Sequence, residues 1–339
     1  MSKAATAATT FPDRRTEHPN IARQIPSGGY GPAGMERRRS ALGATDVPET
    51  NELIDEGLAA ERLGLLDRAE SCFCLAAESE DPAVQAVALT KLADIRRARA
   101  EWDAALDYAR RAQSIARATS DRSLLDEARI AEANVLMCRG DFVGATAAFE
   151  ALLESAADPR LRGVVLQNLG SILAQKGQLG AAERSFSESY GFFRQAGYRR
   201  GEAIALNNYG RVALDRKNAE LAERLLGDAL DIAREVEDGD LVALTTLNLA
   251  EALGQRGEAK RARDLASAAF GHFDSCRNRW RQVECLRLLG ALHERENFFE
   301  DAERCYERGL ALAEEIDAQG EIAAVRDGLA RVRAARQRR

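Results

Sequence analysis

Three asparagines, Asn168, Asn208 and Asn248, stand forty residues apart in this chain. An amide side chain carries both a donor and an acceptor, so amides at a fixed interval can read the backbone of another chain whatever its sequence. Catalytic constellations are poorer. His293 and Glu294 open like the zinc-hydrolase motif H-E-x-x-H, but the second histidine is missing. His272 and Cys276 have the i, i+4 spacing that suits a base and a nucleophile. Nothing in the sequence orients them, and they read as a chance pair near a helix end. Cys72 and Cys74 would point to different faces of a helix and so would not share a metal. No phosphate-cradling glycine loop occurs, and acidic pairs such as Glu314-Glu315 read as solvated surface. No enzyme, cofactor or metal is expected.

The elements that must position the asparagines recur. A small residue, a tight turn seven positions later, then an alanine and usually a bulky residue appear seven times. The small residues are Gly57, Ala93, Ala133, Gly170, Gly210, Ala250 and Gly290, with spacings of 36, 40, 37, 40, 40 and 40. A fixed period in this range means a stack of like supersecondary units rather than one globular core. Each unit reads as helix, short turn, helix, longer turn. In the fifth, Ile204, Leu206, Tyr209, Val212 and Ala213 form the apolar surface of the first helix, and Ala222, Leu225, Leu226 and Ala229 the stripe of the second. Lys217-Asn218 lies at the turn, where other units place Gly64, Gly140, Gly177 or Gly257. Bulky Phe73, Phe149, Phe186, Leu226 and Tyr306 face the small positions, while Ala109 and Ala266 require closer packing or filling from elsewhere.

Composition agrees. Of seven prolines, five fall in the first 48 residues, and only Pro82 and Pro159 lie beyond, in expected inter-repeat loops. Aromatic residues make up 6% of the 339 residues, and the formal charge is −6. Residues 1–49 carry Pro, Gly, Ser and Thr without periodicity and are expected to form a disordered arm, for want of apolar surface to bury. The arm carries +2, leaving −8 for the remainder. Its Arg37-Arg38-Arg39 cluster either attracts an acidic partner or solvates the tail, and Met35 is a second candidate start. No apolar run suits a membrane span, and the first residues lack the apolar core of a secretory signal. Six cysteines without a C-x-x-C pair read as free thiols in a reducing cytosol, so a cytoplasmic protein is expected.

The layout resembles the tetratricopeptide repeat family. Its signature of small residue, glycine, alanine, bulky residue and alanine appears as Gly57, Gly64, Ala69, Phe73 and Ala76 in the first unit. It recurs as Gly170, Gly177, Ala182, Phe186 and Ser189 in the fourth, and as Gly290, Asn297, Ala302, Tyr306 and Gly309 in the seventh. The likeness covers about residues 50–318. The usual period is 34, so the longer form here is similar to the repeats of kinesin light chains and of bacterial MalT- and Rap-type signalling proteins. The resemblance implies an all-α, right-handed α-solenoid of about seven helix-turn-helix units over residues 50–318. Residues 319–339 would form a capping helix and basic tail: Ile322, Val325, Leu329 and Val332 supply its apolar face, and Arg326, Arg331, Arg333 and Arg336 lie elsewhere on it.

In that family the first helices line a concave surface, which implies that the asparagines form a ladder along a groove. Neighbouring positions complete the site: Gln167, Ser171 and Gln175; Asn207, Arg211 and Asp215; Glu251 and Gln255; Arg287 and Arg295. Arg211 would fork a carboxylate of the partner. The other reading is that the asparagines tie adjacent units together, and a ladder can do both. The function expected is a non-catalytic adaptor holding a peptide or partner protein. The alternative is a regulatory sensor whose superhelix answers an effector or signal peptide and controls a transcription or signalling partner. RNA binding needs a basic concave face, which the acidic balance opposes, so no nucleic-acid partner is expected.

Overall fold

Each turn expected inside a repeat contains one residue with a left-handed backbone. Gly64, Ala100, Gly140, Gly177, Lys217, Gly257 and Asn297 have φ between 55° and 91°. This conformation ends a helix within one residue, most cheaply where glycine occupies it. The computed structural model describes residues 50–338; the expected arm, residues 1–49, lies outside them. Among the described residues there are fifteen α-helices and no strand, and the fold is an α-solenoid of helical hairpins.

The contacts divide between Ala157 and Asp158 into two compact units. The first holds α1 (Thr50–Arg62), α2 (Leu66–Ala76), α3 (Pro82–Ala98), α4 (Trp102–Ala118), α5 (Arg122–Arg139) and α6 (Phe142–Ser155). The second holds α7 (Pro159–Gln175), α8 (Leu179–Gln195), α9 (Arg199–Asp215), α10 (Ala219–Glu235) and α11 (Gly239–Gln255). It continues through α12 (Ala259–Ser275), α13 (Arg279–Arg295), α14 (Phe299–Glu315) and α15 (Gln319–Gln337). Pro82 and Pro159 are not loop residues. They open α3 and α7, where the missing N–H has no helical partner to lose.

The period of forty also has a different origin from unequal turns. Each helix from α7 to α14 has 17 residues. Each is followed by three linking residues, whether the turn lies inside a hairpin or between hairpins. The turns between hairpins repeat the same left-handed step at Gly197, Glu237, Arg277 and Asp317. Where the next residue is Asn218, Asp238 or Asn278, its side chain accepts the N–H three positions on and caps the following helix.

Packing follows the small-to-bulky pattern. The alanines at the centre of the signature, Ala69, Ala105, Ala145, Ala182, Ala222, Ala262 and Ala302, are all 0% exposed. A methyl group on Gly57 would lie 2.6 Å from the Phe73 ring, one on Gly210 would lie 2.6 Å from Leu226, and one on Gly290 2.7 Å from the Tyr306 ring. The glycines therefore set how closely the two helices of a hairpin approach. Where the second position is alanine, filling comes from elsewhere: Tyr108 packs on Ala93 and Ala109, and Leu292 reaches from the next hairpin to Gly254. In α15, Ile322, Val325, Leu329 and Val332 are buried. Arg326 pairs with Glu314, Arg331 with Glu294, and Arg333 with Glu303 and Glu307.

Within residues 158–338, each first helix touches the next: α7 with α9, α9 with α11, α11 with α13 and α13 with α15. Second helices make no comparable contact with one another. The first helices thus form the inner layer, and the residues they leave open face its free side.

Candidate binding face

α9 is buried almost all round, by α8, α10 and the adjoining first helices. Besides Arg199 and Arg200 at its start and Tyr209, what stays open is a stripe at i, i+4, i+7 and i+11: Ile204, Asn208 and Arg211, partly buried, and exposed Asp215. On a helix of 3.6 residues per turn these positions share one face. The equivalent stripe of α7 is Val164, Asn168, Ser171 and Gln175, and it is open to a similar degree. On α11 the middle of the stripe closes, because Asn248 and Glu251 are only 7% and 8% exposed, leaving Leu244 and Gln255 partly open at its ends.

The expected asparagine ladder therefore divides. Asn248 Nδ2 donates to Asn207 Oδ1 at 2.9 Å, a buried link between consecutive repeats. Asn207 Nδ2 in turn lies 3.4 Å from Asn208 Oδ1. Asn207 is 3% exposed and points along the array rather than into the open face. Asn168 and Asn208 stay partly exposed. Ser171 Oγ donates to the carbonyl of Gln167 at 3.0 Å, and the buried Oε1 of Gln167 has no partner among the described residues.

Arg211 is already forked. Its Nη1 donates to Glu251 Oε2 at 2.6 Å and its Nη2 to Asp215 Oδ1 at 2.7 Å. Burial disfavours its charge, but Glu251 and Asp215 outweigh this and hold the guanidinium above its usual range. A partner's carboxylate would have to displace the chain's own acids. Arg287 Nε donates to Glu321 Oε2 at 3.0 Å, joining α13 to α15. Arg295 Nη1 donates to the Gly254 carbonyl at 2.6 Å, at the end of the preceding first helix. These two arginines tie repeats together.

A periodic set of ion pairs escaped the sequence reading. Glu183 pairs with Arg216, Glu223 with Arg256 and Glu303 with Arg336, while Arg263 pairs with Glu296 in the opposite polarity. Each joins a second helix to the end of the following first helix, 33 residues on. Opposite charges recurring at that offset were the available signal. The sequence also left His272 without an orienting group, whereas Asp240 Oδ1 lies 2.7 Å from His272 Nε2.

A hairpin array with an inner layer of first helices is the architecture of a helical-repeat solenoid. The family model of the tetratricopeptide repeat matches residues 201–275, and the array is of the tetratricopeptide-repeat type. A Rap protein complexed with competence and sporulation factor is similar, with a TM-score of 0.61 and 16% identity over 84% of this chain and 85% of that one. A signal transduction ATPase with numerous domains and a tetratricopeptide repeat sensor, from Pyrococcus horikoshii, has a TM-score of 0.65 and 17% identity. The match covers 90% of this chain and 47% of that one. BtubC from P. vanneervenii has a TM-score of 0.53 and 19% identity over 62% of this chain and 91% of that one. No curated protein matches the sequence. No described helix is long and apolar enough to cross a membrane.

Proposed function

We propose that the protein is a non-catalytic adaptor of the cytoplasm that holds a segment of a protein partner on the inner face of α7 and α9. The observation that carries this reading is the pair of partly exposed asparagines, Asn168 and Asn208, at equivalent places on two first helices that touch each other. Packed helices lie about 8–10 Å apart and an extended chain rises about 3.3 Å per residue. The two amides would therefore meet roughly every third residue of a bound strand. A single hydrogen bond is worth about 0.5–1.5 kcal/mol, so Ser171, Gln175, Asp215 and Gln255 would have to contribute polar contacts as well. Arg211 serves by keeping Glu251 and Asp215 neutralised, and Asn207, Asn248, Arg287 and Arg295 by fixing the spacing of the helices.

The test is affinity capture with the full chain, followed by a binding titration with the purified partner. Asn168→Ala with Asn208→Ala should weaken binding at least tenfold with an unchanged melting profile. Undiminished binding by that variant would reject the inner face. The sensor reading uses the same face, and the likeness to a protein with a repeat sensor favours it. It requires that the bound partner compact the protein, measured by small-angle scattering.

A further inference from the structure

We propose that Asp240, His272 and Cys276 form a zinc site at the open end of the sixth hairpin. His272 lies in the last turn of α12, and Cys276 is the residue that ends that helix one turn later, so both side chains project from one face. Asp240 is the second residue of α11. The antiparallel pairing of α11 and α12 returns it to the same place from 32 positions earlier. One ligand atom from each of the three lies within 4.8 Å of the other two.

That convergence selects metal binding over a nucleophilic relay. In a relay the imidazole stands between acid and thiol and keeps them apart. Here the carboxylate and the sulfur are themselves neighbours, so three donors surround a common point. An ion with Zn–S of about 2.3 Å and Zn–N or Zn–O of about 2.0–2.2 Å has tetrahedral donors spaced roughly 3.3–3.7 Å apart. Asp240 Oδ1 and His272 Nε2, 2.7 Å apart, would open by less than about 1 Å to admit the ion, and Cys276 offers its sulfur within 4.8 Å of both residues' ligand atoms. Mixed sulfur, nitrogen and oxygen donors suit zinc and not the all-oxygen shells of magnesium or calcium.

Access and room are provided. The Asp240 side chain is 81% exposed, which leaves an entry path and a fourth position for water. A methyl group on Gly239 would come to 3.3 Å from His272 Cε1, so glycine at the start of α11 leaves the ring free to adjust. The bound ion would clip the beginning of α11 to the end of α12, opposite the turn at Arg256–Glu258 that already joins them.

The experiment uses the full chain with its thiols kept reduced by a phosphine. Zn²⁺ is titrated against a chromophoric chelator, and Co²⁺ is followed by absorption. One equivalent should bind, Co²⁺ should show thiolate charge transfer, and the melting temperature should rise with Zn²⁺. His272→Ala, Asp240→Asn and Cys276→Ser should each weaken binding about tenfold or more, and Cys276→Ser should lose the thiolate band. Cys138→Ser, at another exposed thiol, should change neither. Melting without metal shows whether each variant folds. Failure to bind Zn²⁺ below about 100 μM would overturn the site, as would binding that survives His272→Ala with Cys276→Ser, or a thiolate band that persists without Cys276.

Discussion

Arg263 of α12 faces Glu296 at the end of α13, reversing the polarity of the Glu223–Arg256 pair one repeat earlier. Because the next pair returns to Glu303–Arg336, α12 finds opposite charge only against its own successor. The reversal therefore opposes stacking α12 on the wrong first helix.

Charge reversal tests this directly. Arg263→Glu should destabilise the protein by about 1 kcal/mol, since the pair is only partly exposed and like charges then meet. Adding Glu296→Arg should recover most of the loss. A double-mutant cycle by urea unfolding reads the coupling, and full additivity would remove the pair from the account.

The Asn207–Asn248 bond gives a second test. Asn248→Ala leaves a buried amide without its partner and should cost about 1–3 kcal/mol. Asn207→Leu with Asn248→Leu removes both polar groups and should cost less than the single change. Unfolding midpoints compared between the two variants decide it.

Arg277 carries a φ of 55° at the turn between the sixth and seventh hairpins. A non-glycine residue in the left-handed region is disfavoured by about 1–2 kcal/mol. Arg277→Gly should therefore raise stability by about 1 kcal/mol. Gly257→Ala, at φ 88°, should move it the other way, as thermal melting will show.

Acid should weaken the protein partly through Asp238. Burial would raise its pKa, but the N–H of Leu241 and the guanidinium of Arg200 prevail and hold it below the usual carboxylate range. A depressed pKa contributes stability that is complete above the unfolded value, about 3.9, and is lost as pH falls through the folded one. Asp238→Asn keeps a cap, as Asn218 does, but removes the charge. Stability measured between pH 6 and 3 should fall less steeply in that variant.

The asparagines show how far a sequence can locate a face. Their forty-residue interval placed Asn168, Asn208 and Asn248 on one register of successive first helices, and the stripe of α9 through Asn208, Arg211 and Asp215 follows from helical period alone. Their individual roles did not follow. Asn248 is bonded to Asn207, not Asn208, because the contact runs between different faces of neighbouring helices. Arg211 meets Glu251 forty residues away, a partner that local spacing gives no means of choosing.

From its residues alone this chain specifies where helices begin, end and need a small neighbour. Those properties depend on local backbone preference and on apolar periodicity, which recur every 36 to 40 residues. Tertiary packing decided the rest: which amides remain open, which arginines are spent on the chain's own carboxylates, and that Asp240 arrives beside His272 and Cys276. Such pairings join residues some thirty or forty positions apart, and only the docking of one helix against another selects among the many charged and polar groups available.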